Sequence, residues 1–110
     1  MDKQTAKQRI EEEISDLQAR SQSSEAARAP VELDQQSVGR LSRMDAIQQQ
    51  SMELATEVRR RQRLAQLQAA LDRIATGEFG WCLTCGEEIA SARLEIDPAS
   101  ATCVDCQPGR

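Results

Sequence analysis

Four cysteines fall in the last 29 residues as two CxxC pairs, Cys82/Cys85 and Cys103/Cys106, with seventeen residues between them. Nothing else in the chain constrains its fold as tightly. Two thiolates separated by two residues can bend round one ion through a tight knuckle, and two knuckles complete the four-sulfur tetrahedron that zinc prefers. Gly86 follows the second cysteine, where such a knuckle calls for a backbone conformation that glycine adopts cheaply. The alternatives are two disulfides or a redox CxxC. Disulfides need an oxidising compartment, and the opening MDKQTAKQRIEEE has no apolar signal segment. A thioredoxin-like site needs a βαβ context that the sequence lacks. A closed four-thiolate shell leaves no position for water, so the expected zinc ion holds structure and does no chemistry.

The remaining sequence reads as helix. With one Phe, one Trp and no Tyr in 110 residues, a large aromatic core is out of reach. Charged residues at 29% and a mean hydropathy of −0.59 suit a helical protein with much exposed surface. Ile10, Ile14 and Leu17 form one apolar stripe over residues 3–20, with Glu11, Glu12, Glu13, Asp16 and Arg20 on the solvated side. Residues 21–40 lose that pattern, and the Ser cluster, Pro30 and Gly39 mark a connection. A second helix is predicted from Ser42, with Asp45 completing a capping-box-like pair, to about Ala75, where Thr76-Gly77 ends it.

That helix carries Met44, Ile47, Leu54 and Val58, then Leu64, Leu67, Leu71 and Ile74. The two sets are out of heptad register, which predicts irregular packing across Arg59–Arg63. Thirty-odd residues at about 1.5 Å each make a rod of roughly 50 Å. Such a stripe is buried most simply in an antiparallel hairpin with the first helix, dimerisation through the uncovered part being the competing arrangement. The expected fold class is therefore mainly α: an antiparallel helical hairpin (coiled coil) over 1–76, with a connecting segment at about 21–41, followed by a four-cysteine zinc-finger module over 77–110. The expected species is a monomer.

Charge and missing motifs narrow the function. The chain carries −4 overall. From Gly80 onward, Arg93 and Arg110 face Glu87, Glu88, Glu95, Asp97 and Asp105, a net −3 that four thiolates and zinc take to −5. A module so charged repels a phosphate backbone, which argues against sequence-specific DNA binding. The basic run Arg59, Arg60, Arg61, Arg63 has two readings: a solvated segment partly paired with Glu57 and Glu53, or a contact for an acidic partner or nucleic acid. Aromatic interleaving for base stacking is absent. There is no histidine, no nucleophile elbow and no phosphate-cradling loop, so no enzyme is expected. No stretch approaches a membrane span. With no signal segment and reduced cysteines, the cytoplasm is the expected location.

The stretch GEFGWCLTCGEEIASARLEIDPASATCVDC resembles the zinc finger of the DksA/TraR family. The likeness covers the Gly-aromatic-Gly lead-in, both CxxC pairs, the Gly-Glu after the first, Arg93-Leu94 and Pro98. With the helical hairpin upstream it takes in most of the chain. The resemblance implies a protein that binds bacterial RNA polymerase directly through the secondary channel, with a coiled-coil tip near the catalytic magnesium. There it would shift promoter-complex stability, often together with ppGpp. The family's Asp-x-x-Asp-x-Ala tip motif is missing. Asp45 and Ala46 are the nearest tip candidates, with Asp34 in the connecting segment, and a helix-capping role for Asp45 is the plain structural alternative. An ungapped count places Arg59 at the family's polymerase-contacting arginine. The same count puts Gln66, Asp97 and Gln107 where relatives have basic ppGpp ligands, so the alarmone site is not expected to form. A zinc-dependent interaction module of the same fold, without transcriptional activity, is the alternative function.

Overall fold

The computed structural model describes residues 1–28 and 40–107, with the side chains of residues 27 and 40–42 outside the description. The chain is helical, in the order α1 (Lys3–Ser23), α2 (Glu25–Arg28), α3 (Arg40–Thr76) and α4 (Ser91–Ile96), then one 3₁₀ turn (Val104–Cys106). A single isolated bridge, Trp81 with Glu88, is the only β pairing among the described residues.

Asp2 opens α1: its Oδ1 accepts the amide of Thr5 at 2.7 Å, the bond that an N-cap supplies to an otherwise orphan donor. The helix runs to Ser23, three residues past the predicted stretch 3–20, and a further turn follows over Glu25–Arg28. At the other end α3 already begins at Arg40, so Ser42 and Asp45 lie inside it and do not form its N-terminal cap. It closes as the sequence anticipates. Gly77, at φ +81°, turns the chain back, its amide reaching the carbonyl of Ile74 while that of Glu78 reaches Arg73 at 2.8 Å. Those two crossed bonds are a Schellman closure, and the left-handed residue it needs is glycine.

Two compact units make up the structure. The first joins Met1–Ser15 to Leu64–Arg110. In it Ala6, Ile10 and Ile14 of α1 are buried, as are Leu67 and Ala70 of α3, because each stripe needs a second helix to remove it from water. The finger does not stand apart: Ala6 belongs to one core with Phe79, Cys82, Ile89 and Leu94, and Met1 and Ile74 pack against it. Three arginines fasten backbone carbonyls of this unit. Arg9 donates to Glu95 at 2.7 Å, Arg73 to Ala99 at 3.3 Å and Arg93 to Thr102 at 2.9 Å.

The second unit, Asp16–Arg63, has a different interior. Glu57 is its one buried side chain among the described residues. The Ser21 hydroxyl reaches both carboxylate oxygens, at 3.0 and 3.1 Å, Arg60 donates to Oε2, and Arg61 donates to Oε1 at 3.3 Å. Arg28 sends Nη2 to the carbonyl of Ser21, while its Nε stands 3.7 Å from Oε2, too far for a hydrogen bond. Burial pushes the Glu57 carboxyl up, but the Arg60 and Ser21 bonds and the Arg28 charge outweigh it, leaving the group below its usual range. Met44, Ile47, Leu54 and Val58 are exposed, so the first apolar set of α3 is uncovered where the sequence pattern suggested a buried seam. The helix itself is unbroken across Arg59–Arg63. A change from polar to apolar interior falls there.

Candidate metal centre

Each cysteine pair is held by its own local structure. The first knuckle is a hairpin whose amides and carbonyls bond across it: Cys82 donates to Glu87 at 2.7 Å and Ile89 to Gly80 at 2.7 Å. Inside it the amide of Gly86 reaches back to the carbonyl of Cys82 at 2.9 Å, with Gly86 at φ +77°. A side chain there meets no neighbour within 4 Å, so glycine is required by the backbone conformation and not by crowding. The second knuckle is the 3₁₀ turn, where Cys106 donates to the carbonyl of Cys103 at 3.1 Å. Leu83 ties the two knuckles together by donating to Ala101 at 2.9 Å.

These folds bring all four sulfurs within 4.8 Å of one another, Cys85 and Cys103 lying 3.7 Å apart. Zinc at about 2.3 Å from each sulfur makes a tetrahedron with edges of about 3.8 Å. The donor set fits one ion closely. Cys82 is buried, Cys103 and Cys106 half-buried and Cys85 exposed, so the centre has a sheltered side and a wet one. The thiols are driven apart in acidity. Bonds from the amides of Cys85 and Cys103 lower Cys82 to about 6, whereas the thiol of Cys103 and burial push Cys106 up to about 12. Four crowded sulfurs resist carrying four charges together, and a divalent cation removes that resistance by holding all of them as thiolates. With every position filled by sulfur, such a centre binds and braces.

The other residues singled out in the sequence are scattered. Asp45 and Ala46 are exposed on the second turn of α3, and Arg59 is exposed further along it, bonded to the Thr56 hydroxyl at 3.2 Å. Asp34 lies outside the described residues. The basic run divides: Arg60 turns inward to Glu57, Arg61 pairs with it from the surface, and Arg59 faces solvent. The sequence anticipates the pairing of the basic run with Glu57, which Arg60 and Arg61 make. The approach of Ser21 and Arg28 to that carboxylate and the carbonyl-binding role of Arg9 and Arg73 gave no sequence signal, because those partners are distant in the chain. Arg93 enters the sequence reading through the charge balance and the resemblance, and its bond to the Thr102 carbonyl through neither. Among the described residues no helix is long and apolar enough to cross a membrane.

The prokaryotic dksA/traR C4-type zinc finger profile matches residues 77–110. Over 57 residues the chain is 40% identical to the RNA polymerase-binding transcription factor DksA of Haemophilus influenzae, a stretch covering 52% of this chain and 39% of that protein. Escherichia coli K12 DksA is 35% identical over 57 residues, 52% of this chain and 38% of that one. The matched stretch thus spans well under half the length of these relatives. In fold the chain resembles transcription factor DksA2 from Pseudomonas aeruginosa, with a TM-score of 0.75 over 94% of this chain and 78% of that one, at 22% identity.

Proposed function

We propose that this chain, whose residues 77–110 belong to the DksA/TraR zinc-finger family, is a regulator of bacterial transcription that binds RNA polymerase directly, through the secondary channel. The observation that carries this reading is that identity to RNA polymerase-binding DksA proteins runs over 57 residues, beyond the 34 of the finger. The likeness in fold to DksA2 supports it. The role is binding and not catalysis, and the working species is a cytoplasmic monomer that reads no DNA sequence.

In this reading zinc fixes the finger, and the finger anchors the end of α3. Asp45, with Ala46 beside it, serves as the tip acid, and Asp34 is the further tip candidate. Arg59 is the helix contact. Asp45 and Arg59 are fourteen residues apart, which puts them about 21 Å apart along the helix and within about 40° round its axis. One partner surface can therefore meet both. The family's alarmone site is absent from the proposal. Gln66 is exposed, and Asp97 and Gln107 line a shallow hollow with Ala90, Ala92, Ile96 and Val104, where Arg93 is the one cation among the lining residues. A nucleotide with four or more negative charges needs more than one.

The missing Asp-x-x-Asp-x-Ala motif favours a second reading, a zinc-dependent interaction module without transcriptional activity. Retention of core RNA polymerase by the zinc-loaded protein, then Asp45→Asn and Arg59→Ala in transcription in vitro, separates the two. The regulator reading expects retention, a several-fold loss of effect with each variant, and affinity indifferent to ppGpp. No retention sinks it. Binding that depends on zinc but ignores Asp45 favours the module.

A further inference from the structure

The finger leaves the chain's only tryptophan in water. Of the two aromatic side chains, Phe79 is buried in the core, while Trp81 is 50% exposed. The hairpin explains the direction in which it points. Side chains alternate along an extended segment, so with Cys82 turned inward Trp81 points outward, and Leu83, at the start of the turn that follows, is exposed as well.

Directly across from Trp81 stands Glu88. The bonds from Cys82 to Glu87 and from Ile89 to Gly80 flank this pair without joining its own members. That is the narrow, non-hydrogen-bonded antiparallel pair, in which facing side chains lie on one side with Cβ atoms about 5 Å apart. An exposed indole and an exposed carboxylate are thus side by side. Neither Glu87 nor Glu88 forms an ion pair among the described residues, and Arg93 is engaged with Thr102. Both groups ask for the same thing. The indole face attracts a cation, and so does the carboxylate. Tryptophan is also the side chain most often found at the energetic centre of protein interfaces.

We infer that Trp81, Leu83 and Glu88 form a docking site for a basic segment of a protein partner. An arginine guanidinium of that segment stacks on the Trp81 indole and pairs with the Glu88 carboxylate, and a neighbouring apolar side chain covers Leu83. Arginine suits the site better than lysine, because its planar, weakly hydrated group can stack and pair at once. The acidic surroundings select a cationic partner and disfavour nucleic acid, whose phosphates they repel. This site is independent of Asp45 and Arg59, so it stands or falls separately from the polymerase reading.

The single tryptophan is its own reporter. Zinc-loaded protein is titrated with a capped hexapeptide of alternating leucine and arginine, following Trp81 fluorescence. A saturable, salt-sensitive change is expected, with none from the leucine–glutamate peptide. Glu88→Gln should weaken binding about two- to fivefold, and Trp81→Leu, followed by calorimetry, by at least as much. Glu88 is exposed, so its substitution carries the test even if Trp81→Leu impairs zinc uptake. The inference is overturned if the arginine peptide gives no saturable change or Glu88→Gln leaves its affinity intact. A single-stranded oligonucleotide that binds as tightly overturns it in favour of base stacking.

Discussion

Arg73 donates from Nη2 to the carbonyl of Ala99 at 3.3 Å, joining the last turns of α3 to the loop after α4. The guanidinium is buried, and burial lowers its pKa while the charges of Glu78 and Asp72 oppose that shift. Its own carbonyl accepts the amides of Glu78 and Phe79, at 2.8 and 3.1 Å. One residue therefore serves both the helix end and the finger loop.

Arg73→Met tests that joint. Methionine keeps most of the side-chain volume but leaves the Ala99 carbonyl without its donor, at a cost of about 1–3 kcal/mol. Thermal unfolding of the zinc-loaded protein should show the loss. An unchanged midpoint means that water replaces the guanidinium and that the joint is incidental.

Glu57 makes the second unit sensitive to acid. Its folded pKa is depressed, so its contribution to stability is present above the ordinary value of 4.5 and is lost as pH falls through the lower folded value. The helical signal of the wild type should weaken more steeply below pH 4.5 than that of Glu57→Gln, whose uncharged amide has no such titration. At pH 7 the variant should melt earlier, on the order of 5 °C. Parallel acid profiles for the two proteins would refute the assignment.

Much of the first unit was legible because its determinants are local. Cysteine spacing specifies the knuckles, and Ile10, Ile14, Leu67 and Ile74 announce a helix pair by their period. Thr76-Gly77 announces the Schellman closure. The second unit was not legible in this way. Ser21, Ser23 and Ser24 read as a break in an apolar pattern, yet Ser21 is helical and points its hydroxyl at Glu57, 36 residues on. A polar interior assembled across two helices leaves no apolar periodicity to find. The same holds for Met44, Ile47, Leu54 and Val58, whose pattern suggested burial but which the first helix does not cover. At the metal centre the ligand set was readable. The wet side at Cys85 and the outward turn of Trp81 required the hairpin itself.

Gly86 offers a test confined to the knuckle. Alanine there keeps the same open surroundings but must hold φ near +77°, a strain of about 1–2 kcal/mol for a residue with a Cβ. Because the knuckle forms with the metal, the strain should appear as zinc affinity weakened roughly five- to thirtyfold in competition with a chromogenic chelator. Gly86→Asn should lose less, since asparagine enters the left-handed region more readily. Equal affinities for all three proteins would show that the knuckle relaxes at no cost.

Removing zinc should act on more than the finger. Binding energy at four-thiolate sites is folding energy, on the order of 10 kcal/mol. Cys82 shares one core with Phe79, Ile89, Leu94 and Ala6, and Met1 and Ile74 pack on it. Chelation should therefore raise amide exchange over residues 79–107 and also over the first turns of α1, around Ala6. Residues 43–63 draw on the Glu57 cluster and should keep their protection and most of the circular dichroism. Restoring one equivalent of zinc should recover both protected regions together. If exchange rises in the finger while Ala6 stays protected, the two do not share a core in solution. If zinc removal changes neither, the four cysteines are not what holds this unit together.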